Sequence, residues 1–332
     1  MKVAPIVRSS LVSILVAVLT LGTAEFLLRR LNSTLANPLV SELSIDDTRW
    51  YQINRGYLKK YFPPQTPLIP EFKPTLFKQT KNTKVFRIMC LGESSMFGTP
   101  YQMTCTIPAI LRKQLRHLFP ETEFEVINLG ASAINSNVIL DLSKTVTDYQ
   151  PDLVLLYLGH NEFYGPDGVG APFLQRHIPS AIQWVYTLRD SRIGTLLTNL
   201  LPHPFPGDHS GADTNLMKQV SKGSRVDMRS DEAQRVFNLF EWNLSKILET
   251  FRSNGIPVIV SDVTSNLEFP PFDYDSLQIP DGAARFTATL ETDYRAGRYE
   301  PLKDKLNDLI RRDSTNPLLQ FWLGKTLLAT GE

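Results

Sequence analysis

The fold is decided by residues 85–91, VFRIMCL, which are followed immediately by Gly92-Glu93-Ser94-Ser95. A short apolar run that ends in a turn of small and polar residues is typical of a buried β-strand. Similar runs occur at residues 124–129, 153–158 and 256–261, and helical patterns separate them at 107–119, 137–149 and 231–254. Apolar strands that alternate with helices predict a parallel sheet with helices on both faces.

Three of the predicted strands end in residues of catalytic type. Ser94 follows the first strand, Gly130 closes the second, and Gly159-His160-Asn161-Glu162 follows the third. Ligands bind at the carboxyl ends of strands in open parallel sheets, so we expect these residues at one edge of the sheet. The N–H groups of Ser94 and Gly130 and the amide of Asn161 are donors of the kind that stabilises an oxyanion.

In these blocks the chain resembles the SGNH/GDSL hydrolases, a family named for a Ser, a Gly, an Asn and a His in four separate blocks. The resemblance runs from about residue 85 to residue 261, with Glu93 where the family usually has Asp. It implies a flavodoxin-like three-layer α/β/α sandwich, Ser94 as the nucleophile, and oxyanion donors at Gly130 and Asn161. It further implies hydrolysis of an acyl ester without metal or cofactor.

Substrate contacts are expected from His160 and Glu162, which flank Asn161 in the sequence. The chain departs from the family at the catalytic base. The family carries this histidine in an Asp-x-x-His motif near its C-terminus. No Asp-x-x-His occurs in the 332 residues, whose histidines are His117, His160, His177, His203 and His209.

His117 is expected on a helix surface, and His160 follows the sheet edge too closely to serve naturally as the base. His177, His203 and His209 lie in an insertion, and any of them is open to recruitment because a base is recognised by its geometry. The simpler expectation is that the His block lies downstream of the helical repeats and is missing here. We therefore expect little turnover from this chain alone.

The N-terminus carries an apolar segment at residues 11–24, LVSILVAVLTLGTA, which continues past Glu25 to Leu28. Basic residues flank it, namely Lys2, Arg8, Arg29 and Arg30. We interpret residues 1–30 as a membrane anchor, and a cleavable signal peptide ending near Ala24 is the alternative. Positive charge on both sides leaves the orientation undecided. Only a short segment precedes the apolar stretch and a large domain follows it, which favours an exported, periplasmic or extracellular domain.

The rest of the chain divides by composition. Residues 31–83 are rich in proline and predict an extended linker that packs on the domain. Residues 84–280 are predicted to form the hydrolase-like domain. Its insertion at 163–229 is a lid over the site, an interaction surface or an irregular segment that packs on the body. Residues 281–332 predict partial tetratricopeptide-like repeats, because Gly297 and Gly331 lie 34 residues apart. A chance match is the alternative, since three or more repeats are normally needed for stability.

Composition narrows the class of function. The formal net charge of +1 gives no electrostatic case for nucleic acid as a partner. Cys90 and Cys105 are too few for a disulfide framework, which leaves a buried thiol at Cys90 or one disulfide in an exported domain. Three hypotheses follow: a membrane-tethered acyl-ester hydrolase, a non-catalytic binding module of the same fold, and a scaffold whose repeats recruit a protein partner.

Overall fold

The computed structural model describes residues 3–31, 37–62, 66, 69–101, 103–168, 177–200, 226, 230–264, 268, 283–314 and 316–332. By its internal contacts the chain divides into two compact units, Met1–Val263 and Thr264–Glu332. Most of the predicted insertion at 163–229 lies outside the described residues, and so do His203 and His209.

The first unit contains the following elements in chain order: α1 (Val3–Leu31), β1 (Val40–Ile45), β2 (Thr48–Ile53), β3 (Leu76–Lys78), β4 (Val85–Gly92), α2 (Ser94–Phe97), α3 (Ile107–Leu118), β5 (Glu123–Gly130), α4 (Ser136–Val146), β6 (Leu153–Tyr157), α5 (Pro179–Asp190), α6 (Arg192–Leu200), α7 (Asp231–Ser253) and β7 (Val258–Val260). Short 3-10 helices occur at Arg55–Tyr61, Met103–Cys105 and Thr147–Tyr149.

The main sheet is parallel and has the order β5-β4-β6-β7, which confirms the predicted mixed α/β fold with a parallel sheet. This order is that of the first four strands of a doubly wound sheet of the 2-1-3-4-5 type. In such a sheet the chain reverses its direction of winding between the two central strands, here β4 and β6. The crevice for a ligand lies at the carboxyl ends of that pair.

Successive strand residues point to opposite sides of the sheet, so apolar strands give it two apolar faces. Helices cover both of them. Met89 and Leu91 of β4 belong to the larger core, which α4 and α7 complete with residues such as Leu142 and Ile247. Ile88 and Cys90 point the other way, into a smaller core that α3 covers with Leu111 and Leu115. On that second face the cover is incomplete, since Ile259 on the edge strand β7 is 53% exposed.

The segment predicted as an extended linker, residues 31–83, contains a three-stranded antiparallel sheet of order β1-β2-β3 among its described residues. Asp46 and Asp47 turn the chain between β1 and β2, and both have positive φ angles, 47° and 59°. This two-residue connection is the hairpin geometry that fits the strand twist, and Asp tolerates it. Phe72 and Phe77 are almost fully buried in the main core. The segment is therefore part of the domain's packing.

Lys60 secures this segment to the helices of the main body. Its side chain is only 6% exposed, and Nζ lies 2.8 Å from Asp141 Oδ2 on α4 and 2.7 Å from Asp190 Oδ1 at the end of α5. Tyr61 adds a hydrogen bond from its hydroxyl to Asp141 Oδ2, at 2.8 Å. Such a buried cation is tolerated because carboxylates surround it.

Arg87 secures the same segment to the main sheet from within β4. Its guanidinium is 1% exposed and donates to Glu125 Oε2 on β5, to the Tyr149 carbonyl and to the Lys78 carbonyl on β3, at 2.8, 2.6 and 2.7 Å. It also lies over the Phe77 ring, 5.0 Å from the centroid. One side chain therefore joins both sheets.

The N-terminal helix α1 contacts α6 through the charged residue that interrupts its apolar run. Both carboxylate oxygens of Glu25 accept backbone N–H groups at the start of α6, from Arg192 and from Ile193, each at 3.0 Å. Within the described part of the chain, no helix is both long and apolar enough to cross a membrane. The anchor and the signal peptide both stay predictions from the sequence.

The two cysteines are free, so no disulfide joins them. Cys90 is buried in the smaller core, and burial raises the pKa of its thiol to about 12. Cys105 is exposed at the end of a 3-10 helix.

The second unit contains three helices among its described residues, α8 (Ala283–Arg295), α9 (Tyr299–Arg312) and α10 (Pro317–Thr330). They share a small apolar core formed by Leu290, Leu302, Leu306, Leu318, Leu319 and Trp322. Gly297 and Gly331, on which the 34-residue period was based, follow α8 and α10 with positive φ angles of 71° and 80°. Glycine at these positions ends a helix without a steric cost. Membership in a tetratricopeptide family stays a prediction.

We predict that Arg87→Met lowers the free energy of unfolding by about 3–5 kcal/mol, because it leaves the Glu125 carboxylate with no cation in a site that is 12% exposed. Urea denaturation followed by circular dichroism measures the change. Arg55→Met is the matched control, since the Arg55–Glu71 pair is largely exposed and is worth less than about 1 kcal/mol. Equal midpoints for the two variants would show that Arg87 is not a structural tie.

Candidate active site

The three sequence blocks singled out for catalysis meet at one edge of the parallel sheet. In the strand register Gly92 pairs with Gly130 on one side and with Tyr157 on the other. The residues that follow these positions therefore leave the sheet side by side. Ser94 and the Gly159-His160-Asn161 loop come from β4 and β6, the pair between which the winding of the chain reverses.

Ser94 is the first residue of the short helix α2, directly after the buried Glu93. It is half-buried, whereas Met96 of the same helix is fully buried in the smaller core. Neither its hydroxyl nor its N–H has a hydrogen-bond partner among the described residues. The hydroxyl is thus free to react, and the N–H is free to donate.

Two glycines allow α2 to lie against the ends of the strands. A Cβ on Gly92 would come within 2.2 Å of the Tyr157 carbonyl oxygen, and one on Gly130 within 2.4 Å of the Phe97 nitrogen. Real Cβ atoms do not approach backbone atoms so closely, so any larger residue at either position displaces α2 or the neighbouring strand. The position of Ser94 depends on these two glycines.

The N–H of Gly130, which the sequence predicted as an oxyanion donor, is already engaged in a hydrogen bond within the protein. Its N–H donates to the Asn128 side chain, at 2.8 Å to Oδ1, while Asn128 Nδ2 donates to the Met96 carbonyl at 3.1 Å. Asn128 thus holds both the end of β5 and the helix α2. The role of Gly130 here is close packing. Asn128 was visible in the sequence as a strand-end asparagine, but nothing in the sequence identifies the partners of its amide.

Asn161 lies at the edge as predicted, and it is 4% exposed. Its Nδ2 donates one hydrogen bond to the Ile134 carbonyl, at 3.0 Å. An amide nitrogen carries two hydrogens, and no second acceptor is found in the described part of the chain. The Ile134 contact fixes the plane of the amide, so the second N–H has a defined direction.

Glu93 forms the floor under this loop. It is fully buried, and its carboxylate oxygens accept the backbone N–H groups of Gly159 and His160, at 3.2 and 2.8 Å. Its Oε2 also lies 3.5 Å from His160 Nδ1. Gly159 adopts a φ angle of 125°, which glycine accepts readily, and this allows the loop to turn back onto the carboxylate.

Glu162 points into the protein, contrary to the prediction that it contacts substrate. It is 8% exposed, and its carboxyl oxygens accept the N–H and the hydroxyl of Ser136, at 3.0 and 2.6 Å. Burial, together with a smaller effect of the neighbouring Glu93, raises the pKa of Glu162 to about 8 against the lowering effect of its hydrogen bonds with Ser136. Ser136 also accepts a hydrogen bond from Asn243 on α7, at 2.8 Å.

The described histidines occupy three different places. His160 follows β6, and its side chain is 26% exposed. His117 is exposed near the C-terminal end of α3, at the opposite, amino-terminal edge of the sheet from which β5 starts. His177 is exposed and lines a cavity of about 400 Å³ with Asp231 and Trp242. Of the three histidines that the structure describes, only His160 lies in a loop that directly follows a strand of the sheet.

No group of three or more side chains suited to hold a metal ion is found among the described residues. The polar groups at the edge include the Glu93 carboxylate, which accepts two backbone N–H groups, the Asn161 amide, which has one partner, and the Ser94 hydroxyl, which has none among the described residues. The groups at this edge can supply a nucleophile and hydrogen-bond donors.

Comparisons with known proteins give a distant likeness. No family model matches the chain, and no curated protein sequence matches it. Among solved structures, AlinE4, an SGNH-hydrolase family esterase, is 13% identical with a TM-score of 0.28, over 65% of this chain and 98% of that one. A variant of Axe2, an acetyl xylan esterase from Geobacillus stearothermophilus, is 15% identical with a TM-score of 0.27, over 54% and 78%. These values are too low to transfer residue roles.

We predict that Gly130→Ala lowers the free energy of unfolding by about 1–3 kcal/mol, because the added methyl group collides with the α2 backbone. The urea midpoint measures this loss. Gly56→Ala is the control, since a Cβ there meets its nearest atom at an ordinary 3.5 Å, and we expect a change of at most about 0.5 kcal/mol. A Gly130→Ala protein as stable as the control would contradict the close packing of α2.

Proposed function

We propose that this protein is a serine ester hydrolase in which Ser94 attacks an acyl or acetyl ester. The observation that carries the proposal is the placement of Ser94 at the carboxyl ends of β4 and β6, with a hydroxyl that no described residue engages. Open parallel sheets bind their ligands at this position. The Ser94 hydroxyl makes no structural hydrogen bond with any described residue, so it is available for chemistry.

The reaction follows from the groups at this edge. Ser94 Oγ bonds to the acyl carbon, the carbon–oxygen bond of the leaving alcohol breaks, and that alcohol takes up the proton that Oγ gives to a base. Water then releases the acyl group from Ser94. Negative charge develops on the carbonyl oxygen, and the two free donors, Ser94 N–H and the second N–H of Asn161, are of the type that stabilises it.

His160 is the described histidine best suited to take the proton. A carboxylate beside Nδ1 orients an imidazole and leaves Nε2 as the proton acceptor, and Glu93 Oε2 lies 3.5 Å from this Nδ1. Sequence patterns alone disfavoured His160, because the position of Glu93 beneath it is visible only in the fold.

The place of action is proposed from the sequence. The apolar residues 11–24, followed by Arg29 and Arg30, support a membrane anchor and an exported domain that acts on a cell-envelope ester. The helices of the second unit support contact with a protein partner. A second candidate function is a binding module that holds an acylated ligand without turnover, which the lack of an Asp-x-x-His motif favours.

We predict that Ser94→Ala lowers kcat/KM for p-nitrophenyl acetate by at least about 100-fold, because it removes the nucleophile. The control is Ser95→Ala, the next residue of the same helix, which we expect to stay within about threefold of the wild type. A wild-type chain with no turnover above buffer contradicts the hydrolase and supports the binding module. A Ser94→Ala variant as active as the wild type would contradict the assignment of Ser94 as the nucleophile.

We predict that His160→Ala lowers the same kcat/KM by about 10²–10⁴-fold, the usual contribution of a positioned acid–base group. His117→Ala is the matched control, and we expect it to behave as the wild type because His117 lies at the opposite edge. Retention of activity in His160→Ala would show that another group takes the proton, and His203→Ala and His209→Ala would then be measured.

A further inference from the structure

Helix α5 turns two large apolar side chains away from the domain. Trp184 and Leu188 are 61% and 64% exposed. Residues four apart lie on the same face of a helix, here about 6 Å apart along its axis, so the two side chains form one patch, which we call the α5 patch. All four tryptophans of the chain lie in its described part, and Trp184 is the only exposed one. Adjoining apolar side chains left in water mark an interaction surface.

The opposite face of α5 is fixed to the body of the first unit by buried polar contacts. The Gln183 amide donates from Nε2 to the Asn137 carbonyl on α4, at 3.0 Å. The buried Tyr186 donates from its hydroxyl to Asp167 Oδ2, at 2.7 Å. These bonds fix the rotation of α5 about its own axis. The α5 patch cannot turn inward without breaking them, so its outward direction belongs to the fold.

The α5 patch ends beside the contact between α1 and α6. The Leu188 carbonyl accepts the N–H of Ser191 at 3.0 Å, and the next residue, Arg192, begins α6. Glu25 of α1 accepts the N–H groups of Arg192 and Ile193, each at 3.0 Å. A carboxylate at the start of a helix is also favoured by the helix dipole. The Glu25 contact therefore holds α1 within about one helical turn of the patch.

The middle of α1 is exposed on every side. Residues 15–23, LVAVLTLGT, are all exposed, and they span more than two turns of the helix. A protein partner covers one face of a helix, whereas a helix that is apolar all round needs an apolar environment on all sides, as lipid provides. Arg29 and Arg30 follow the apolar residues and are exposed, which suits the anionic headgroups of a bilayer.

We propose that the α5 patch is a lipid-contact surface. It lies in the headgroup region of the bilayer that surrounds α1, whether or not α1 crosses that bilayer, and the Glu25 contact sets its position there. Tryptophan suits this region because its ring is apolar and its N–H bonds to headgroups. The proposal rests on the membrane anchor of the proposed function and is independent of ester hydrolysis. It holds the domain on the membrane by one fixed side.

Tryptophan fluorescence of the full chain tests the lipid contact. The protein is reconstituted into vesicles of phosphatidylcholine and phosphatidylglycerol, with or without bromine on the acyl chains next to the headgroups. Bromine quenches a tryptophan that it touches, so we expect brominated lipid to quench the wild type and Trp184→Phe to lower this quenching at least about twofold. Trp50→Phe is the control. Its indole nitrogen is buried, and we expect it to be quenched like the wild type.

A second pair of variants tests the patch and keeps all four tryptophans. Leu188→Glu places a charge one turn from Trp184, and a charge is costly to bring against acyl chains. We expect it to lower the quenching at least about twofold, because the charge keeps α5 away from the acyl chains. Leu328→Glu is the matched control, since Leu328 on α10 of the second unit is 79% exposed and lies outside the patch. We expect it to leave the quenching unchanged.

Glu25→Ala tests how the patch is held. The substitution makes α1 more apolar, so we expect the protein to stay on the vesicles, which flotation of the same samples measures. It also removes the acceptor of the Arg192 and Ile193 N–H groups. We therefore expect the quenching of Trp184 to fall toward the level of Trp184→Phe while flotation is retained. Unchanged quenching in Glu25→Ala would overturn the role of Glu25.

The remaining outcomes separate the lipid contact from the other proposals. A wild-type protein that floats with the vesicles but is not quenched overturns the lipid contact of α5, leaves the anchor in place and points to a protein partner on this face. Quenching that persists in Trp184→Phe overturns the contact as well. A protein that does not float overturns both the anchor and the contact. None of these measurements requires turnover, so an inactive esterase with a quenched Trp184 removes ester hydrolysis alone.

Discussion

The contact of α2 with the ends of β4 and β5 is the constraint on which the site depends. The α2 backbone lies directly on the end of β5, and the end of β4 lies against the Tyr157 carbonyl of β6 and the Met96 side chain of α2. Neither place has space for a Cβ, so both strands end in glycine. Asn128 then uses its amide to bond to the last residue of β5 and to the Met96 carbonyl of α2. Ser94 is presented at the edge because this backbone contact is fixed by packing and by hydrogen bonds together.

Beneath the edge, polar groups rather than apolar side chains support the loop of residues 159–162. The path of hydrogen bonds runs from Glu93 to the backbone of the loop at His160, and from Glu162 at the end of the same loop through Ser136 to Asn243 on α7. Buried polar groups are costly when they lack partners, so each link in this path depends on the next. Four chain segments that are distant in sequence are thereby held at one place.

Much of the fold could be predicted from the sequence because apolar runs and helical spacing are local signals. Residues 85–91 and 124–129 are confirmed as strands, and 231–254 as a helix that ends at Ser253. The sheet of β1, β2 and β3 was not predicted, because the prolines in residues 31–83 indicated an extended linker. The sequence feature that indicates this sheet is the Asp46-Asp47 pair between two short strand segments. It is a weaker hairpin signal than Asn-Gly.

The site was predicted less completely than the fold. Ser94 and Asn161 lie at the predicted edge, since strand ends can be located from the pattern. The use of the Gly130 N–H and the inward direction of Glu162 depend on which atoms meet after folding, and no sequence spacing encodes that. The contact of Glu93 with His160 could not be predicted from the sequence either, because the two residues follow different strands and meet only in the fold.

The contrast between the two thiols has a practical consequence for following the protein in solution. Thiol reagents react with the thiolate, which the buried Cys90 scarcely forms at neutral pH, whereas Cys105 is open to solvent. The natural chain therefore carries a single attachment point for a maleimide dye or a spin label. It lies in the connection between the helix of Ser94 and α3, so spectroscopic probes can be placed near the site without mutating any residue.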